Sequence, residues 1–213
     1  MKKRVVLALT ALLSSNLVAA DLNLEYKAFY SHLKKLDKPE LDQLEFTFGF
    51  RYVAGEGLCH IDNVVISTPK QQIPVDVING QRFRLPTENA LKLADAQVWI
   101  SVQEPTNQCD MSVQLQARPL ALSSEYSSES LNNLVTQFDT FFDDMGGFMS
   151  FMMPSPQGLQ LHFSQQPDIA GLQTSHGSKL DDTTLWLNKD DIETGKTLKF
   201  SQLPYQITVW MED

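Results

Sequence analysis

Met145, Met149, Met152 and Met153 follow one another at steps of four, three and one within the stretch DDMGGFMSFMMPSP. A helical backbone would gather them on one side, and thioethers are soft ligands that select Cu(I). Phe148 and Phe151 interleave with them, however, which suits an apolar core segment or an apolar surface that receives a ligand or an envelope partner. The candidate contact set is therefore Phe148, Met149, Phe151, Met152 and Met153, with Trp99 and Trp210 as outlying candidates. Core filling, an apolar contact surface and copper handling stay open as readings, and no cofactor or metal ligand set is assigned.

The remaining groups capable of chemistry are dispersed. His32, His60, His162 and His176 do not stand at ligand spacing, and the chain has no GxSxG, HExxH, CxxC or glycine-rich phosphate loop. The loop QTSHGSKLDD places His176 among Ser175, Ser178, Asp181 and Asp182, every residue type a hydrolytic triad needs. A triad is defined by geometry across a fold, so a periplasmic hydrolase using His176 or His162 stands as the alternative to a binding protein. Acidic pairs recur at Asp143-Asp144, Asp181-Asp182 and Asp190-Asp191, without the alternating register of a wrapped calcium loop. NKDDIETG reads as a hairpin tip ending at Gly195. Cys59 and Cys109 are the whole cysteine inventory, and an isolated pair in an exported chain reads as one disulfide between neighbouring strands.

The elements that must position these residues are α+β and mostly antiparallel β. Residues 21–37 carry Tyr26, Phe29, Tyr30, Leu33 and Leu36 at helical steps, with Pro39 beyond. LEFTFGFRYV alternates strictly and is the clearest strand. IDNVVIST, a hairpin turning at Asn79-Gly80, residues 96–103 and residues 111–117 are further strands, with a short helix within 87–95. A connector over 118–128 leads to a second amphipathic helix that ends at Gly146-Gly147. GLQLHF, TTLWLN, KTLKFSQLP and QITVWM return to strand patterns.

RFRLP followed by AQVWIS resembles KFSQLP followed by ITVWME. This predicts two duplicated helix-plus-sheet halves, 21–120 holding the disulfide and 121–213, either separate or merged into one compact domain.

The N-terminus reads as a secretory signal over residues 1–20. Lys2, Lys3 and Arg4 form the basic region, 5–13 the apolar run, and Val18-Ala19-Ala20 the cleavage site before Asp21. The apolar run is too short to span a bilayer, so no transmembrane span is expected in the mature chain. Removing residues 1–20 takes away three of 17 cations and none of 26 acids, which moves the net charge from −9 to −12. A chain this acidic repels phosphate backbones, which argues against nucleic acid as a partner.

The segments YKAFYSHLKKL, GLCHIDNVVIST, RFRLP, ALKLADAQVWI and QCDMSVQLQARP, with the terminal LP…W, resemble a family of uncharacterised exported proteins of gammaproteobacteria, a domain of unknown function. The resemblance implies export and a single cysteine pair, and carries no activity or catalytic residue. The expected role is a non-enzymatic periplasmic binding or accessory protein of the cell envelope, with an apolar ligand or an envelope protein as partner.

Overall fold

In LEFTFGFRY, aromatic residues at every second position need one covered face, and the fold is arranged to supply it. The computed structural model describes residues 20–146 and 156–211. The first half runs β1 (Ala20–Glu25), α1 (Tyr26–Leu33), β2 (Leu44–Tyr52), β3 (Ile61–Ser67), β4 (Gln72–Val75), β5 (Val77–Ile78), β6 (Arg82–Phe83), α2 (Asn89–Leu93), β7 (Gln97–Val102) and β8 (Cys109–Ala117). The second runs β9 (Glu125–Tyr126), α3 (Ser128–Gly146), β10 (Pro156–His162), β11 (Ile169–Ala170), β12 (Lys179–Asp181), β13 (Thr184–Asn188), α4 (Lys189–Thr194), β14 (Leu198–Phe200) and β15 (Gln206–Met211). It is a β-rich α+β protein in which, among the described residues, every strand pair is antiparallel.

Both halves obey one strand order. The main sheet of the first half is β5-β6-β2-β8 and that of the second is β12-β13-β10-β15. The smaller sheets are β1-β7-β3-β4 and β11-β14-β9, so β7 and β14 hold the same place between the strand before the first helix and the strand after β2 or β10. The strings that suggested two matching halves do not carry this likeness. Val98-Trp99-Ile100 lies in β7 of a smaller sheet, whereas Val209-Trp210-Met211 lies in β15 of a main sheet. Short β-rich strings recur because few residue types suit a pleated, half-buried strand.

The inward faces merge into a single core. Leu44, Phe46, Phe48 and Phe50 of β2 and Tyr26, Phe29, Tyr30 and Leu33 of α1 are all buried in it. Phe29 meets Phe48 edge-on at 5.0 Å between ring centroids, and Phe46 meets Phe141 of α3 at 5.6 Å, which locks β2 to the second half. Ser127 caps α3 by accepting from the Ser130 N–H at 3.1 Å. Beside the seam where the halves meet, β15 lies next to β8 with no backbone ladder between them.

Two expectations are corrected. The helix expected over 21–37 begins only at Tyr26. Residues 20–25 pair with β7 as a strand, because Leu22 and Leu24 alternate with Asp21 and Asn23, a period-two pattern continuous with the helical one. NKDDIETG is helix α4 rather than a hairpin tip. The Asn188 side chain accepts from the Asp190 N–H at 2.9 Å, and Asp190 and Asp191 occupy the first turn, where the helix dipole favours negative charge.

Candidate functional site

The outward faces of the main sheets carry polar side chains. On the first, Glu45, Thr47, Gly49 and Arg51 of β2 stand opposite Gln116, Gln114, Ser112 and Asp110 of β8. β6 brings Arg82 opposite Gly49 and Arg84 onto the same face. A hydrogen-bonded chain runs from there to the seam. Arg84 Nε donates to Glu45 Oε1 at 2.6 Å, Gln116 Nε2 donates to the same oxygen at 3.0 Å, and Gln206 Nε2 donates to Gln116 Oε1 at 2.7 Å. Thr47, only 1% exposed, and Gln116 are buried polar groups in this chain.

A cleft of about 210 Å³ opens beside it, walled by Thr47, Leu58, Ile78, Arg82, Arg84 and Gln116 from the first half and by Tyr205 and Gln206 from the second. Its base is shaped by the hairpin. Asn79 and Gly80 both take positive φ, 51° and 69°, in a three-residue loop that closes with Gln81 N–H donating to the Ile78 carbonyl at 3.0 Å. Burial lowers the Arg82 pKa from its ordinary value, yet an arginine keeps its charge at physiological pH.

On the second main sheet, His162 of β10 lies between two threonine hydroxyls, with Nδ1 3.3 Å from Thr184 Oγ1 and Nε2 3.2 Å from Thr208 Oγ1. Burial pulls its pKa down, which favours the neutral ring. Beyond it, Trp186 and Trp210 meet edge-on at 5.5 Å, and Lys179 lies over Trp186 at 5.6 Å.

The loop around His176, the alternative hydrolytic candidate, is a structural clamp. Asp191 Oδ1 accepts from Ser175 Oγ at 3.0 Å and from the His176 N–H at 3.0 Å, and lies 3.1 Å from His176 Nδ1. Asp191 Oδ2 accepts from the Ser178 N–H at 3.0 Å. Burial pushes the Asp191 carboxyl upward, but the bonds from Ser178, His176 and Ser175 together outweigh it and hold the group well below the usual carboxylate range. Ser175 and Asp191 both approach the same ring nitrogen, Nδ1, whereas a triad needs the nucleophile at one nitrogen and the acid at the other. Asp181 and Asp182, the acids named with this loop, lie instead at the β12–β13 turn.

Cys59 and Cys109 form a disulfide with Cα atoms 6.4 Å apart. Together with Glu104 they are the only group of three metal-ligand side chains among the described residues, and the S–S bond removes both thiolates from that role. Glu104 is itself engaged, accepting from Tyr52 Oη at 2.6 Å and from the His60 N–H at 3.0 Å. The acidic pairs do not converge, since Asp144 binds Lys38 at 2.6 Å while the others sit at a turn and on α4. Trp99 is 46% exposed on β7 and Trp210 packs on Trp186, so the outlying aromatic candidates stand on different sheets. Phe148, Met149, Phe151, Met152 and Met153 lie outside the described residues, as do residues 1–19.

Sequence reasoning missed the cleft. Glu45, Thr47 and Gly49 were legible as one strand face, and Arg82 and Arg84 flank an inward Phe83 in the hairpin QRFRLP. What no local pattern reveals is that Tyr205 and Gln206, more than 100 positions away, close over them.

A family model described as a protein of unknown function (DUF2987) matches residues 18–163. The chain belongs to the DUF2987 family. Comparisons with curated proteins and with solved structures give no match. The DUF2987 match ends one residue beyond β10, a strand whose two neighbours, β13 and β15, lie at 184–188 and 206–211. The matched segment therefore completes its second sheet with residues outside the match.

Proposed function

We propose that this DUF2987 chain is a non-enzymatic binding or accessory protein of the cell envelope, exported to the periplasm, with the seam cleft as its ligand site. The observation that carries the reading is the cleft itself, whose walls come from both halves and whose polar chain, Arg84–Glu45–Gln116–Gln206, fixes their relative position. Both ring nitrogens of His162 are committed to hydroxyls, and the His176 cluster lacks triad geometry, which favours binding over hydrolysis. Export is supported by the disulfide, which persists in oxidising compartments. Among the described residues no helix is long and apolar enough to cross a membrane. The shared strand order supports descent of 21–120 and 121–213 from one duplicated unit.

The test is an amide-resolved NMR screen of the mature protein with a mixture of neutral, acidic and basic aromatic fragments. Shifts centred on Gln116, Tyr205 and Gln206 are expected. Turnover of p-nitrophenyl esters that disappears in His176→Ala would replace the reading with a hydrolase.

A further inference from the structure

We infer that the seam cleft takes a small solute by its carboxylate or phosphate group, with Arg82 as the principal contact; this rests on the cleft being the ligand site. The charge distribution is the first reason. Residues 21–120 hold four arginines and six lysines against 13 acids, whereas residues 121–213 hold no arginine and four lysines against 13 acids. In a chain this acidic, two of the four arginines, Arg82 and Arg84, line one cleft, and none of its lining residues is acidic. The nearest carboxylate in the network, Glu45, already accepts from Arg84 and Gln116 through one oxygen.

Arg82 has no such partner. Among the described residues its one hydrogen bond runs from Nη2 to Ser112 Oγ at a long 3.4 Å, while Nη1 is buried and meets no acceptor. A guanidinium partly withdrawn from water without a counter-ion is destabilising, and an oxyanion in the cleft that Arg82 lines offsets that by charge-assisted hydrogen bonds to it. The side chain is also placed in advance. It lies across Gly49, where an added Cβ would stand 3.3 Å from Arg82 Cγ and 2.6 Å from the Gln81 carbonyl oxygen, so glycine is what lets the hairpin and the arginine settle on β2.

The rest of the lining defines the solute further. The side-chain amides of Asn79 and Gln81 and the Tyr205 hydroxyl make no hydrogen bond among the described residues and remain available as donors. Leu58, Ile78 and the Tyr205 ring supply apolar wall. At about 210 Å³ the cleft falls below the roughly 300–1,000 Å³ of sites for drug-sized ligands, so it suits a compact organic acid, a phosphomonoester, or the terminal group of something larger.

Benzoate, phenyl phosphate and benzamide share a ring and differ in charge, which makes them the probes, titrated into the mature disulfide-bonded protein by NMR. At least one anion should perturb the Gly49, Ser112 and Gln206 amides with ten-fold or greater preference over benzamide. The stronger of the two anions assigns the oxyanion as carboxylate or phosphate. Arg82→Gln should weaken that anion at least ten-fold, Arg82→Lys by less, and Arg84→Gln least, because Glu45 already holds its Nε. Ser112→Glu provides an independent variant, because a carboxylate beside Arg82 should abolish anion binding without removing the arginine. Benzamide binding as tightly as the anions at these amides overturns the oxyanion while leaving the cleft as the ligand site. Anion affinity unchanged in both Arg82→Gln and Ser112→Glu does the same. No perturbation of these amides by any probe overturns both.

Discussion

The two halves share a strand order but fasten the same joint differently. In the first half, the segment leaving β2 is tied to the segment entering β8 by the Cys59–Cys109 disulfide, with Val53 N–H donating to the Gln108 carbonyl at 2.9 Å and Gln103 N–H to the His60 carbonyl at 3.0 Å. The equivalent segments of the second half leave β10 and enter β15, and hydrogen bonds and the packing of Phe163 on Phe200 join them without a covalent tie. Asp168 N–H donates to Ser201 Oγ at 2.9 Å, Ser201 N–H to the Asp168 carbonyl at 3.0 Å, and Tyr205 N–H to the His162 carbonyl at 2.9 Å. The second half adds a clamp of its own, the buried Asp191 that pins the loop around His176 onto α4. Covalent and polar fastening are thus two solutions of different strength to one problem, that of holding long excursions between paired strands.

The largest separation of the halves should come from the disulfide. Its chain-entropy contribution for a sequence separation of 50 is about 4 kcal/mol. Cys59→Ser with Cys109→Ser should therefore lower Tm by roughly 10 °C in calorimetry, and an unchanged Tm would leave the joint independent of its covalent tie. Asp191→Asn is next, at about 2 kcal/mol near neutral pH, because it removes a charged acceptor from several buried donors. The carboxylate's folded pKa lies below its unfolded value of about 3.9. Its contribution is accordingly complete above roughly pH 5 and is lost as pH falls through the folded pKa. Urea titrations across pH should show wild type and Asp191→Asn converging in acid; a constant gap would assign the loss to packing.

Ser201→Ala tests the polar version of the joint directly, with about 1 kcal/mol expected from urea unfolding. A loss as large as that of the cysteine variant would make the two fastenings equal in strength. Lys199→Ala breaks a cross-strand ion pair to Glu125 whose side chains are 62% and 55% exposed, and should stay within about 0.5 kcal/mol of wild type.

Local patterns revealed most of the elements. β2, β3, the Asn79-Gly80 turn, α3 and β15 are written in alternation, helical spacing or turn chemistry, and the cysteine pair followed from its isolation. The misread segments are those where two signals overlap. Leu22 and Leu24 fit both the strand they form and the helix that follows, while the acids of α4 resemble a solvated turn unless Asn188 is recognised as a cap. The candidate site was less legible still. Arg82 is distinguished by what it lacks, a partner for Nη1, and a missing partner is a property of the assembled fold. The contacts that close the cleft cross from one half to the other, beyond the reach of any periodicity.

The absence of a ladder between β8 and β15 also bears on self-association. Unpaired strand edges are templates for joining another chain, and longer edges are the greater hazard. The outer edges of the two main sheets are β5 and β12, of two and three residues, and β4 at the edge of a smaller sheet contains Pro74, which has no N–H to offer. The other edges of the main sheets, nine-residue β8 and six-residue β15, lie beside each other at the seam. The arrangement that forms the cleft therefore also shields the longer edge of each main sheet from recruiting a neighbour into an aggregate, and leaves six-residue β1 as the long edge of a smaller sheet.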